Sequence, residues 1–138
     1  MGHRGDSPAR RLAAMMAAIA RAPTDTPTVD VWAALVRMSR STLEHRCRVA
    51  GARPKDALAL GRLLRATSVS DPGNWRPEDG LDVLDHRTLV DLLTRGGVVT
   101  HWHNRRPEVS ELFANHAFEV PAASLEILAA WFDDEDEA

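Results

Sequence analysis

Residues 28–66, TVDVWAALVRMSRSTLEHRCRVAGARPKDALALGRLLRA, read as two short helices separated by a tight turn and followed by a third. This is the pattern of a helix-turn-helix. Ala33, Val36, Met38, Leu43 and Cys47 fall at offsets that put small or apolar groups between two crossing helices. Ser39, Arg40, Ser41, Glu44, His45 and Arg48 fall on the other side. Ser39 stands where its hydroxyl can accept the backbone N–H of Thr42, three residues on, and Ser41 is a competing cap two positions later. With either cap, the front of the second helix carries short polar side chains and arginine. In helix-turn-helix readers that end enters the major groove of DNA. A solvated helix face has a similar composition.

The run from Met38 to Ala66, MSRSTLEHRCRVAGARPKDALALGRLLRA, resembles the first helix-turn-helix of AraC/XylS-type transcription regulators. In that family a recognition helix runs through a glycine into a Pro-x-x-Tyr-Leu-x-x-x-Arg-Leu-x-x-Ala helix. Pro54, Leu58, Arg62, Leu63 and Ala66 match the second part at the family's spacing. Ala57 replaces the tyrosine, Cys47 replaces a phenylalanine late in the recognition helix, and residues 43–51 are one residue short. The turn position that is commonly glycine is Arg37, which needs no positive φ if the turn is built slightly differently. The resemblance implies an all-α DNA-binding domain that reads through residues 39–51. Arg40, Ser41, Glu44, His45 and Arg48 are the candidates for base-edge contacts, arginine donating two bonds to guanine and Glu44 accepting from cytosine. Ser39, Arg46, Arg53, Lys55 and Arg62 are the candidates for backbone contacts or for orienting the helix. Arg62 has a structural alternative, because the family's arginine at this place lies on the connecting helix.

The chain has 138 residues, 44% of them hydrophobic, enough for one compact domain with its own core. One cysteine excludes an internal disulfide framework. With no signal-peptide pattern and no apolar run longer than residues 12–20, a soluble protein of the reducing cytoplasm is expected. The net charge of −3 is unevenly spread. Residues 1–65 carry 12 Arg and Lys against 5 Asp and Glu, and residues 66–138 carry 5 against 15. A basic half of this kind suits a polyanion. The expected organisation is a mobile arm at 1–7, a basic helix-turn-helix half at 8–70, an acidic helical half at 71–132 and an acidic tail at 133–138.

Within the basic half, Ser7 caps a helix that opens at Pro8 and carries a stripe of Ala9, Leu12, Ala13, Met16, Ile19 and Ala20. That stripe suits the core of the helix-turn-helix or, as a second use, dimerisation. Arg4, Arg10 and Arg11 suit phosphates, although a chain end with no role has the same composition. Residues 22–27 read as a linker.

Past residue 66 the segment 67–78 is turn-rich. Helices follow at 77–84 and 85–95, the second capped by Asp85 and stopped by Gly96 and Gly97. This pair takes the place of the family's second helix-turn-helix. Its outward Asp85, Arg87 and Asp91 suit phosphates poorly, so a degenerate structural unit is expected. Residues 98–103, VVTHWH, have the pattern of one short strand. His101, His103 and His116 are a weak metal set with no placed carboxylate or second cysteine, and no metal or cofactor is expected. Arg105 and Arg106 beside Trp102 suit either a nucleic-acid backbone or pairing with acidic groups. Helices are expected at 107–117, through Val109, Leu112 and Phe113, and at 121–132, through Leu125, Leu128, Trp131 and Phe132. The acidic end beyond them would repel DNA.

Catalytic motifs are missing from the sequence: there is no phosphate-cradling glycine loop, nucleophile elbow or zinc-protease helix. His45 and Cys47 lie two apart on a helix and point to different sides, so Cys47 reads as a small core residue. The expectation is therefore a non-enzymatic regulator of transcription whose partner is double-stranded DNA, with a protein partner or a second copy at the C-terminal half. The alternative is a helical adaptor that binds another protein through the acidic half and the surface of Trp131 and Phe132.

Overall fold

The computed structural model describes residues 7–69, 81–82, 86–98 and 108–137. All regular structure among them is helical: α1 Pro8–Ala20, α2 Val29–Leu35, α3 Arg40–Ala50, α4 Pro54–Val69, α5 His86–Arg95, α6 Val109–Asn115 and α7 Ala122–Glu137.

Helix α1 is the centre of the packing. It touches α2, α3, α4 and α7, and its Leu12, Ala13, Met15, Met16, Ala17, Ile19 and Ala20 are all buried. A helix apolar around most of its circumference belongs inside a core. The apolar stripe of α1 is thus consumed by its own chain, which corrects its second expected use, dimerisation. Ser7 caps it as expected, its Oγ accepting the Arg10 N–H at 3.2 Å.

Helix α4 crosses α1 at Gly61. A Cβ there would lie 3.1 Å from the Cβ of Ile19 and 2.9 Å from its Cδ1, so the approach depends on the missing side chain. Trp32 of α2 is fully buried and donates its indole N–H to Met15 O at 3.0 Å. That bond satisfies the one polar atom of the largest core side chain. Leu43 and Cys47 of α3 are likewise fully buried.

The turn between α2 and α3 corrects the expectation for Arg37. Its φ is +58°, the left-handed region that a non-glycine residue enters only at a cost. The Arg37 N–H donates to Ala34 O at 3.2 Å and the Met38 N–H to Ala33 O at 3.0 Å. This pair of bonds closes the helix end in a Schellman motif, which requires positive φ at its middle position. Val36 and Met38 then pack against the core from the turn. The same double bond ends α3 at Gly51, with φ +94°, and α5 at Gly97, with φ +77°.

Two arginines on α4 fasten the 22–27 segment. Arg62 grips Asp25 with two bonds, Nε to Oδ1 at 3.0 Å and Nη2 to Oδ2 at 2.6 Å, and Arg65 donates to the carbonyls of Ala22 and Pro23 at 2.8 Å each. The segment is thereby held on α4 rather than left loose.

Toward the C-terminus the boundaries differ from expectation. Helix α4 continues through Thr67, Ser68 and Val69, where turn residues were expected. Thr67 is buried and the Ser68 hydroxyl donates to Leu64 O at 2.8 Å, the back-bond by which serine stays in a helix. Leu81 and Asp82 are not helical, against the helix expected at 77–84; the rest of that segment, with Asp85, lies outside the described residues. So do residues 99–103 of the expected strand, Arg105 and Arg106, and residues 1–6 of the arm. Helix α5 buries Leu89, Leu92 and Leu93 and exposes Arg87 and Asp91, as its pattern predicts. The backbone of α7 stays helical to Glu137, so the acidic run extends a helix rather than forming a separate tail. Neither glycine nor proline interrupts it.

Helix α7 lies on α1 and α6. Ser124 Oγ donates to Ala9 O at 2.8 Å, the Arg10 guanidinium stands over the Trp131 ring at 5.5 Å, and Phe132 meets Phe113 edge to face at 6.2 Å. Buried side chains from both halves form one core cluster. No helix among the described residues is long and apolar enough to cross a membrane.

Candidate nucleic-acid interface

Helix α3 is seated by two side chains one turn apart, Leu43 and Cys47, so everything on its far side is presented outward. Ser39, with β-region backbone, caps it: its Oγ accepts the Thr42 N–H at 3.1 Å and donates to Thr42 Oγ1 at 2.9 Å. Ser41 therefore lies inside the first turn and is exposed.

Two rows run along the outer surface at the helical spacing of four. Ser41 and His45, with Val49, form the outermost row, and Arg40, Glu44 and Arg48 form the row facing α2 and α4. Ser39, Arg40, Ser41, His45 and Arg48 are exposed, whereas Glu44 and Arg46 are half-buried. Val49, 55% exposed in an otherwise polar row, was not among the sequence candidates. An apolar residue there signals either core or contact, and only its place on the outer side decides between them.

The second row borders a cleft of about 390 Å³, whose walls include Arg40, Glu44, Arg48, Arg53 and Lys55. Arg53 and Lys55 are exposed at the start of α4. Of the two roles open to Arg62, the structure fills the second. Its side chain is 11% exposed and its guanidinium is occupied by Asp25, so it holds the fold rather than a phosphate.

Carboxylates qualify this basic surface. Arg40 Nη1 donates to Asp30 Oδ2 at 3.2 Å, and its Nε is 3.5 Å from Glu44 Oε2. Asp30, and then Glu44, push the Arg40 pKa still higher than its ordinary value, keeping the guanidinium charged. Asp30 belongs to α2 and was missed in the sequence, where nothing links it to a residue ten positions away.

Chemically the surface offers donors, one apolar group and positive charge. Burial, opposed by Arg48, pushes the Cys47 thiol up to about 11, which keeps it protonated and inert. Among the described residues no group of three or more His, Cys, Asp or Glu could hold a metal ion; His101 and His103 lie outside them.

Compared with protein-family models, curated proteins and solved structures, the chain matches none.

Proposed function

We propose that this chain is a sequence-specific double-stranded DNA-binding regulator of transcription, of the AraC/XylS-like type, that reads the major groove through α3. One observation carries the reading. The left-handed turn at Arg37 sets α3 against α2 at the place where the family it resembles commonly has glycine, and turns an exposed row of Ser41, His45 and Val49 outward. Arg40 and Arg48 supply guanine-reading forks, Ser41 and His45 hydrogen bonds, and Val49 an apolar contact for a thymine methyl. Glu44 is placed to accept from a cytosine amino group. Ser39, Arg46, Arg53 and Lys55 are the residues left for the phosphates, which position the helix without reading sequence.

Binding of the full chain to random duplex DNA, measured at several salt concentrations, tests this. Neutralising phosphates releases counterions, so affinity should fall steeply and log-linearly with salt. The double variant Arg53→Ala with Lys55→Ala, which removes two phosphate contacts, should weaken binding at every salt concentration and flatten that slope. No binding of the wild-type chain at low salt would reject the reading and favour an adaptor. In that case the surface of Trp131 and Phe132 is a restricted one, since both are half-buried against Arg10 and Phe113.

A further inference from the structure

We infer that Asp30, on the helix before the reading helix, is a specificity-determining residue: it aims Arg40 at a base edge and discourages phosphate from taking that arginine. The inference rests on the duplex-binding reading and deepens it.

Arg40 opens α3, where a long flexible cation would find the nearest phosphate whatever the sequence. Its guanidinium is instead held from two directions. Glu44, one turn along the same helix, faces Nε at 3.5 Å, and Asp30 accepts from Nη1 at 3.2 Å across the helix pair. A guanidinium has five N–H donors. These two bonds leave one hydrogen on Nη1 and both on Nη2 without a partner among the described residues. Two adjacent nitrogens with donors remaining are what O6 and N7 of guanine require. The two carboxylates thus take the parts of the guanidinium that the base does not need.

Charge adds a second effect. Asp30 is 71% exposed on the same surface, and its carboxylate repels phosphates of any sequence. Guanine presents neutral acceptors there, so the repulsion falls on non-specific binding more than on reading. Lys55, Arg48 and Arg53 border the same cleft and keep the general attraction.

Asp30→Asn removes the charge and keeps the shape. The test uses the full chain and a duplex selected by the wild-type protein from a random pool. Dissociation constants of wild type, Asp30→Asn, Arg40→Ala and the double variant are measured on the selected duplex and on random duplex at one salt concentration. Asp30→Asn should bind random duplex more tightly. Its preference for the selected duplex should fall by at least about fivefold, the lower end of what one bidentate arginine–guanine pair supplies. In the Arg40→Ala background only the charge effect remains, so the same substitution should lower the preference by clearly less than it does with Arg40 present. An unchanged preference in Asp30→Asn, or an equal fall with and without Arg40, would overturn the inference while leaving duplex binding intact. A wild-type chain that binds no duplex would overturn both, and that result is read before any variant is made.

Discussion

Asp56, at the start of α4, and Arg95, at the end of α5, form an ion pair at 2.7 Å that joins the helix-turn-helix to the C-terminal half. The Asp56 carboxylate is buried and spends its second oxygen on the Glu119 N–H, also at 2.7 Å. Arg95 in turn lies over the Phe118 ring at 4.9 Å. The Arg53 N–H donates to Glu119 O at 3.1 Å, so one residue beside the cleft is pinned by its backbone to the same loop. Removing the carboxylate leaves a backbone donor unpaired and a cation without its partner. Because Arg95 stays partly in water, Asp56→Ala should cost about 2–3 kcal/mol rather than the full cost of a buried pair. Urea unfolding measures it, and a loss below about 0.5 kcal/mol, the scale of an ordinary surface substitution, would mean the joint is not structural.

Arg37 gives the opposite sign. Its φ of +58° strains an L-residue, whereas glycine adopts it freely. Arg37→Gly should therefore stabilise the chain by about 1 kcal/mol, the left-handed penalty less glycine's larger unfolded-state entropy. The melting temperature should rise by about 3–5 °C. A fall would show that the arginine makes up for the strain by other contacts.

Gly51 and Gly97 separate strain from crowding. Both have positive φ, but a Cβ on Gly51 meets nothing within 4 Å, while one on Gly97 would lie 2.7 Å from Asn115 O. Gly51→Ala should cost about 1–2 kcal/mol from the backbone alone. Gly97→Ala should cost about 1–3 kcal/mol more, because a carbonyl in α6 cannot swing aside as a side chain can. Equal losses by thermal melting would mean that the end of α6 at Asn115 yields easily.

Local signals in the sequence predicted local structure. Ser7, Ser39 and Gly97 act on hydrogen bonds within a few residues of themselves, and each ends or begins its helix as their chemistry predicts. Stripes such as Leu89, Leu92 and Leu93 mark buried faces for the same reason. The partners of Arg62 and Arg95 lie 37 and 39 positions away, and no spacing rule singles out Asp25 or Asp56 among the acids of the chain. For the interface, the exposed row of α3 follows from periodicity. The hold of Asp30 on Arg40 does not, since it depends on the angle between two helices set by the unexpected backbone of Arg37.

Cys47 reports on whether α3 stays seated. Its thiol is fully buried, and desolvation raises its pKa from 9.0 to about 11. The reactive form is the thiolate, so iodoacetamide at pH 8 should leave the native chain unlabelled and modify it readily in urea. The raised pKa also favours the folded state only while the thiol is protonated. This contribution is complete below pH 9 and is lost as pH climbs toward about 11. Rapid labelling of native protein would mean that α3 lifts from the core without unfolding.

His116 works in the acid range. Its Nδ1 accepts the Phe118 N–H at 3.1 Å and its ring stacks on Phe118, while burial lowers its pKa below the usual 6.5 against the opposing pull of Asp56. A ring nitrogen that accepts a backbone N–H must be unprotonated, so protonation breaks that bond. With the folded pKa depressed, the histidine contributes its stability above pH 6.5, and this is lost as pH falls because the unfolded chain takes up the proton first. Wild type should therefore lose more stability between pH 7.5 and 5.5 than His116→Gln, whose side chain does not titrate. Since Asp56 faces the same loop, the comparison should be repeated in Asp56→Asn. There the pull toward protonation is gone, and the acid loss of the chain that keeps His116 should grow. Parallel melting curves for wild type and His116→Gln would remove His116 as the cause.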